Sequence, residues 1–213
     1  MSPSLELGRP KGALRFGAKN SRVLARQQRR FTPEEYLIIE ENSKDSKSEY
    51  YEGVIYAMTG GSINHARIVR NLLNGIDAQL RGKNCEVFGS DVRVFVEKHT
   101  LFTYPDLLVV CGELPYFPGR TDTLTDAKLI VEVLSPGTAH YDKGEKFQFY
   151  LGLPSLECYV TVAQDEILIQ NHTRSQNGWQ MVELSGPDAT LQLTTLDLSL
   201  PCVDIYRDVE LPV

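Results

Sequence analysis

Tyr104-Pro-Asp-Leu-Leu-Val-Val-Cys111 and Leu129-Ile-Val-Glu-Val-Leu134 are two short apolar runs, each carrying one acid. Asp106 opens the first run, and Glu132 sits inside the second. A run this short and this apolar, ended by turn residues such as Ser135-Pro136-Gly137, predicts a strand buried on both faces. A carboxylate in such a strand must find a cation, a hydrogen-bonding network or a proton, because burying it unpaired is costly. Side by side, the two strands would bring both carboxylates to one point. Oxygen-only ligands of that kind suit Mg²⁺ or Mn²⁺. The competing reading places each acid at a strand end, facing water.

Working outward, residues 141–152 read as a helix. Asp142, Lys146 and Tyr150 are spaced four apart and share one of its faces. Lys146 could then orient a water or stabilise charge developing on a phosphate, while contributing little to the core. The plainer reading of Asp142 and Lys146 is a surface ion pair. Upstream, Glu49-Tyr-Tyr-Glu-Gly-Val-Ile-Tyr-Ala-Met58 alternates as a strand pair about Gly53. Glu49 is expected to face the acidic cleft and Glu52 the solvent. Thr59-Gly-Gly-Ser-Ile-Asn64 reads as a turn into a helix whose apolar face carries Ile68, Leu72, Ile76 and Leu80. Strands are expected at about 84–97, 105–111, 129–134, 156–162 and 167–171, with short β segments through the C-terminal third.

The chain has 213 residues and a mass of 24.0 kDa, enough for one domain or one domain with an appendage. Of its 22 basic and 28 acidic residues, the first thirty positions hold eight bases and a single acid, which leaves residues 31–213 at net −13. Thr32-Pro-Glu-Glu35 is a helix-start pattern, so the boundary falls near residue 31. Residues 1–30 are a basic arm, read either as a solvated tail, as an upstream extension of the reading frame, or as a helix with a positive stripe for phosphates. An acidic body does not draw nucleic acid to its whole surface. No run approaches about 18 apolar residues, and the N-terminus lacks the apolar core of a secretory signal. No membrane association is expected, and the location expected is cytoplasmic. Cys85, Cys111, Cys158 and Cys202 form no CxxC pair and are expected to be reduced. Serine hydrolase, zincin and dinucleotide-binding motifs do not occur in the chain. His99, His140 and His172 share no ligand spacing and are read as surface residues. Trp179 and the tyrosines are read as packing, not as base-stacking groups.

Pro105-Asp106 followed by Glu132 resembles the PD-(D/E)XK nuclease superfamily, and more closely the Uma-two family of restriction endonuclease-like proteins of bacteria. The resemblance is carried by Glu49-Tyr-Tyr-Glu-Gly53, the segment from Met58 to His65, Tyr104-Pro-Asp106, Val131-Glu-Val-Leu-Ser-Pro136, and Tyr141-Asp-Lys-Gly-Glu-Lys146 with Tyr150. Pro154-Ser-Leu156 and Tyr159-Val160 continue it, so that it spans about residues 31–210. It implies an α/β fold, a mixed β-sheet core flanked by helices with additional strands in the C-terminal third. It further implies a metal-dependent endonuclease acting on DNA, with Asp106, Glu132 and Glu49 as ligands of Mg²⁺ or Mn²⁺ and Lys146 as the catalytic cation. His65, Asp142 and Tyr150 would stand behind them. A second copy of the chain is a candidate partner, since nucleases that cut both strands often act as dimers. The superfamily pattern departs at one place: the lysine two residues after Glu132 is here Leu134. A non-catalytic nucleic-acid-binding or interaction module that kept the fold is the alternative, and a hydrolase of another phosphorylated substrate is a third.

Overall fold

The computed structural model describes residues 29–43, 46–135, 137 and 139–212. The reading of residues 1–30 as a basic arm lies, but for Arg29 and Arg30, outside the described residues. Thr32 accepts a hydrogen bond from the Glu35 amide (3.2 Å) and donates its own amide to the Glu35 carboxylate (3.0 Å). This capping box starts α1 (Pro33–Asn42), where the sequence pattern puts it. β1 (Ser48–Tyr51) and β2 (Val54–Ala57) form a hairpin. Its two turn residues, Glu52 and Gly53, have φ of 46° and 90°, which a two-residue hairpin turn requires. Next comes α2 (Ile63–Leu80), N-capped by Ser62.

Strands β3 (Cys85–Gly89), β4 (Arg93–Val96), β5 (Leu101–Thr103), β6 (Leu107–Cys111), β7 (Thr123–Leu124) and β8 (Leu129–Leu134) follow. Helical turns α3 (Ala139–Tyr141) and α4 (Phe147–Tyr150) are joined without a break by a π-helical turn, Asp142–Lys146. The chain finishes with β9 (Cys158–Ala163), β10 (Leu168–Ser175), β11 (Gly178–Ser185), β12 (Thr190–Leu193), β13 (Leu198–Pro201) and α5 (Cys202–Ile205).

Six strands form the main sheet in the order β11-β10-β9-β8-β6-β3. All of its pairs are antiparallel except β8 with β9, the two strands bridged by the helical segment. Parallel neighbours need such a crossover. One face of this sheet, with Leu107, Val109, Leu129, Val131 and Val133, packs on Ile68, Leu72 and Ile76 of α2 and on the β12–β13 hairpin. The other face, with Leu108, Val110, Ile130 and Tyr159, packs on Val94, Val96, Phe147 and Tyr150. A second sheet, β2-β1-β5-β4-β7, closes that side, and α1 covers it through Tyr36, Tyr50 and Phe102. The mixed-sheet α/β architecture with extra C-terminal strands is thus present.

Three details differ from expectation. The strand expected over 84–97 is two strands in two different sheets, broken by a Gly-Ser-Asp turn that the Val92 amide closes onto the Gly89 carbonyl (3.2 Å). Cys85 and Cys111, expected to be reduced, face each other in the β3–β6 register and are joined by a disulfide; Cys158 and Cys202 are free and buried. His140 is exposed, but His99 and His172 are half-buried against the Phe149 and Phe147 rings.

The second sheet has a charged centre that no apolar pattern reveals. Arg93 is 1% exposed; its guanidinium donates to Thr123 Oγ1 (3.0 Å), Asp122 Oδ2 (3.0 Å) and the Tyr36 hydroxyl (3.4 Å), and lies near the rings of Tyr36, Phe102 and Tyr104. Arg93→Met keeps much of the volume and loses these bonds. Denaturant unfolding should show a loss of roughly 2 kcal/mol. An unchanged midpoint would mean that this guanidinium does not hold the second sheet together.

Candidate active site

All six residues of β8 are buried, Glu132 to 4% exposure. Alternation along the strand places Glu132 on the same face as Ile130, toward the helical segment and the second sheet. The cation that this burial demands is Lys146. Its ammonium, itself on a residue 6% exposed, lies 2.9 Å from Glu132 Oε1, 3.3 Å from Glu49 Oε1 and 3.8 Å from Asp142 Oδ1. Tyr150, one turn further on, donates its hydroxyl to the same Glu132 oxygen (2.8 Å). The spacing of Asp142, Lys146 and Tyr150 therefore puts all three on the buried side of the segment, and Lys143 is exposed. Lys146 ends the π-helical turn, a widening that recurs at functional sites. The Tyr159 hydroxyl donates to the Asp142 carbonyl at the start of that turn (2.7 Å). The expectation that Lys146 contributes little to the core does not hold, because it neutralises buried acids.

Asp106 precedes β6. Leu107 pairs with Val131, so one step further along both strands sets Asp106 across from Glu132. Asp106 Oδ2 accepts the Val133 amide (2.7 Å) and meets His65 Nε2 at 3.1 Å. His65 comes from the first turn of α2, where its amide donates to Ser62 Oγ (3.0 Å). Gly61 makes room for it: a Cβ there would lie 2.8 Å from His65 Nδ1. Burial pulls the imidazole pKa down, but the hydrogen bond and charge of Asp106 outweigh it, and the net shift is upward. Glu49 approaches from β1, held by the Thr103 hydroxyl at 2.5 Å, whereas Glu52 is exposed in the hairpin turn.

Glu49, Glu132, Asp142, Lys146 and Tyr150 thus form one cluster, with Asp106 and His65 beside it. Sequence reasoning missed Thr103, which carries no signal of its own, and gave Tyr159, part of the family resemblance, no role at the site. It also missed Glu40, buried where Tyr104 and Ser48 donate to its carboxylate. Burial pushes Glu132 up to about 8; Asp142 and Asp106 add to the rise, and Lys146 opposes it. Burial pulls the Lys146 pKa down, but Glu132, Glu49, Tyr150 and Asp142 outweigh it and hold it well above its usual value.

The donor set is all oxygen, as a hard divalent cation requires. Asp106 and Glu132, opposite each other across β6 and β8, would be its two inner ligands. Among the described residues, no three His, Cys, Asp or Glu side chains gather closely enough to hold an ion. Glu49 is instead engaged through Oε1 by Lys146 and Thr103.

Residues 33–202 match the family model described as "Uma2: Putative restriction endonuclease". The chain belongs to this family. Two curated relatives of the Uma2 chain, both from Synechocystis sp., are the uncharacterized proteins slr1290 and sll1609. The first is 36% identical over 179 residues, covering 84% of this chain and 92% of the relative. The second is 30% identical over 168 residues, covering 78% and 94%. A crystal structure described as that of a putative nuclease belonging to DUF820 from Anabaena variabilis superposes with a TM-score of 0.69. At 18% identity, over 83% of this chain and 97% of the other, that likeness shows a shared fold.

The Glu132 shift gives a test without metal. Burial pushes its carboxyl up to about 8 in the folded protein, from the ordinary glutamate value of 4.5. A raised pKa contributes stability that is complete below about pH 4.5 and is lost as pH rises through 8. In EDTA, unfolding free energy should therefore fall between those limits in the wild type, and Glu132→Gln should flatten that fall. Parallel curves for the two proteins would contradict the assignment.

Proposed function

We propose that this protein is a divalent-metal-dependent endonuclease that hydrolyses phosphodiester bonds of DNA. The observation that carries the reading is the buried Lys146 ammonium, shared by Glu132 and Glu49 beside the Asp106–His65 pair. Asp106 and Glu132 would hold Mg²⁺ or Mn²⁺, which supplies a Lewis acid for the phosphoryl group and lowers the pKa of water. Lys146 balances the acids in the absence of metal and stabilises negative charge developing on the phosphoryl oxygens during cleavage. Tyr150 fixes the Glu132 carboxylate, and His65 with the Val133 amide fixes that of Asp106. Closure of the site by the second sheet keeps bulk water away and strengthens each of these interactions. With DNA as substrate we assign the protein to the cytoplasm, a compartment that tends to reduce bonds such as Cys85–Cys111.

A second reading, a binding module that kept the fold without cutting, is favoured by the engagement of Lys146 with two of the three expected ligand acids and by Leu134 in the usual lysine position. Plasmid cleavage with Mg²⁺ or Mn²⁺ separates the two. Lys146→Gln keeps a donor for Glu132 and should lower cleavage by roughly a hundredfold; Glu132→Ala should abolish it, and Lys143→Ala should cut as the wild type does. Unfolding curves confirm that each variant is folded, and Lys146→Arg replaces Lys146→Gln should the latter fail. Undiminished cleavage by Lys146→Gln would remove Lys146 from the mechanism. A wild type inactive on several DNA substrates with both metals would leave the binding module as the function.

A further inference from the structure

Thr161 is 1% exposed, yet among the described residues its hydroxyl has no hydrogen-bond partner. A buried hydroxyl is costly in that state, and the apolar residue of the same shape is valine. Valine stands on both sides of it, at Val160 and Val162. The strand would accept a third valine on packing grounds, so the hydroxyl calls for a partner of another kind.

Its place in the sheet indicates where that partner lies. β9 runs parallel to β8 with Thr161 directly opposite Glu132, as Tyr159 is opposite Ile130. Strands in such a pair are about 4.8 Å apart, and paired residues project to the same face. Tyr159 rises from this face to bond the Asp142 carbonyl, so Thr161, two residues on, points to the side where Lys146 and Tyr150 meet Glu132. Both of those donors reach Oε1, and Oε2 is the oxygen that neither of them holds. On the other flank of β9, Thr161 pairs with Gln170, whose amide nitrogen donates to Glu183 (3.0 Å). A water between hydroxyl and carboxylate would supply that partner, since buried waters occupy sites with such polar walls.

We propose that Thr161 is a positioning residue of this site: its hydroxyl holds a buried water against the Glu132 carboxylate and thereby fixes the oxygen that Lys146 and Tyr150 do not hold. Resting on the metal reading above, the inference makes that water a determinant of cation affinity, since partners behind a ligand commonly set its orientation. The test compares wild type, Thr161→Val and Thr161→Ser in metal-free crystals and in Mn²⁺ titrations without DNA. Wild type and Thr161→Ser should show a water within hydrogen-bond distance of residue 161 and Glu132, and Thr161→Val should lack it. The Mn²⁺ Kd should rise about tenfold in Thr161→Val and return toward the wild-type value in Thr161→Ser. Thermal unfolding of metal-free Thr161→Val should be no lower than wild type, which separates positioning from a structural role. A wild-type crystal with no water at this point overturns the proposal, as does unchanged Mn²⁺ affinity in Thr161→Val. Were the wild type to bind no Mn²⁺, the metal reading would fall on its own, and the presence or absence of the water would decide the assignment of Thr161.

Discussion

A carboxylate in the middle of a strand buried on both faces is the constraint around which this structure is built. Glu132 is buried to 4% exposure, so the protein must either leave it protonated or bring a cation to it. The chain does both in part: burial lifts the Glu132 pKa to about 8, and Lys146 stands 2.9 Å away. Such a pair adds little net stability over an apolar one, because desolvation of two charges consumes most of the Coulombic gain. Its retention therefore fits a site that uses the charge. The cluster is acidic in excess, with Glu49 and Asp142 sharing one ammonium with Glu132. That excess is what an incoming divalent cation would satisfy.

The rest of the architecture positions this cluster. The parallel β8–β9 pair obliges the chain to cross over, and the crossover is the helical segment that carries Asp142, Lys146 and Tyr150. The second sheet is held by Arg93 and capped by α1, and its strand β1 delivers Glu49 from the opposite side. Helix α2 packs its apolar stripe on the far face of the main sheet, but its first turn extends beyond the sheet, so that His65 reaches Asp106. Each acid comes from a different element, so no local unfolding of one strand leaves the cluster balanced.

The parts of the molecule governed by local chemistry were legible in the residues. Thr-Pro-Glu-Glu marked the start of α1, the alternation about Gly53 marked the hairpin, and the apolar run 129–134 marked the central strand. The four-residue spacing from Asp142 to Tyr150 correctly gave one shared face, though not its burial, and Glu49 turned inward while Glu52 stayed in solvent. What could not be read was set by partners distant in sequence. The division of 84–97 between two sheets depends on which strands stand beside β3 and β4, and the Cys85–Cys111 bond on a register that spacing does not encode. Arg93 and Glu40 sat in segments where a charge ordinarily means solvent, and only the assembled sheet shows them buried. The degree of Lys146 burial was missed for the same reason.

Leu134 stands where the nuclease resemblance leads one to expect a lysine, and the same electrostatics accommodate it. Residues 132 and 134 alternate to the same face of β8, so a lysine at 134 would lie beside Glu132 on the strand itself. Leu134 is 6% exposed and faces Ala163 across the parallel pair, an apolar corner in which an ammonium would have to reach outward for its partners. Lys146 solves this from the other direction: the helical segment lies over that face, and a four-carbon stem carries the charge down to the carboxylate. The requirement at Glu132 is a single ammonium within hydrogen-bond distance, and it does not specify which backbone supplies it. A lysine on the helix has a further property that one on the strand lacks. Its anchor is a π-helical turn apart from β8, so the placement of the ammonium between Glu49 and Glu132 does not depend on the strand that holds Glu132.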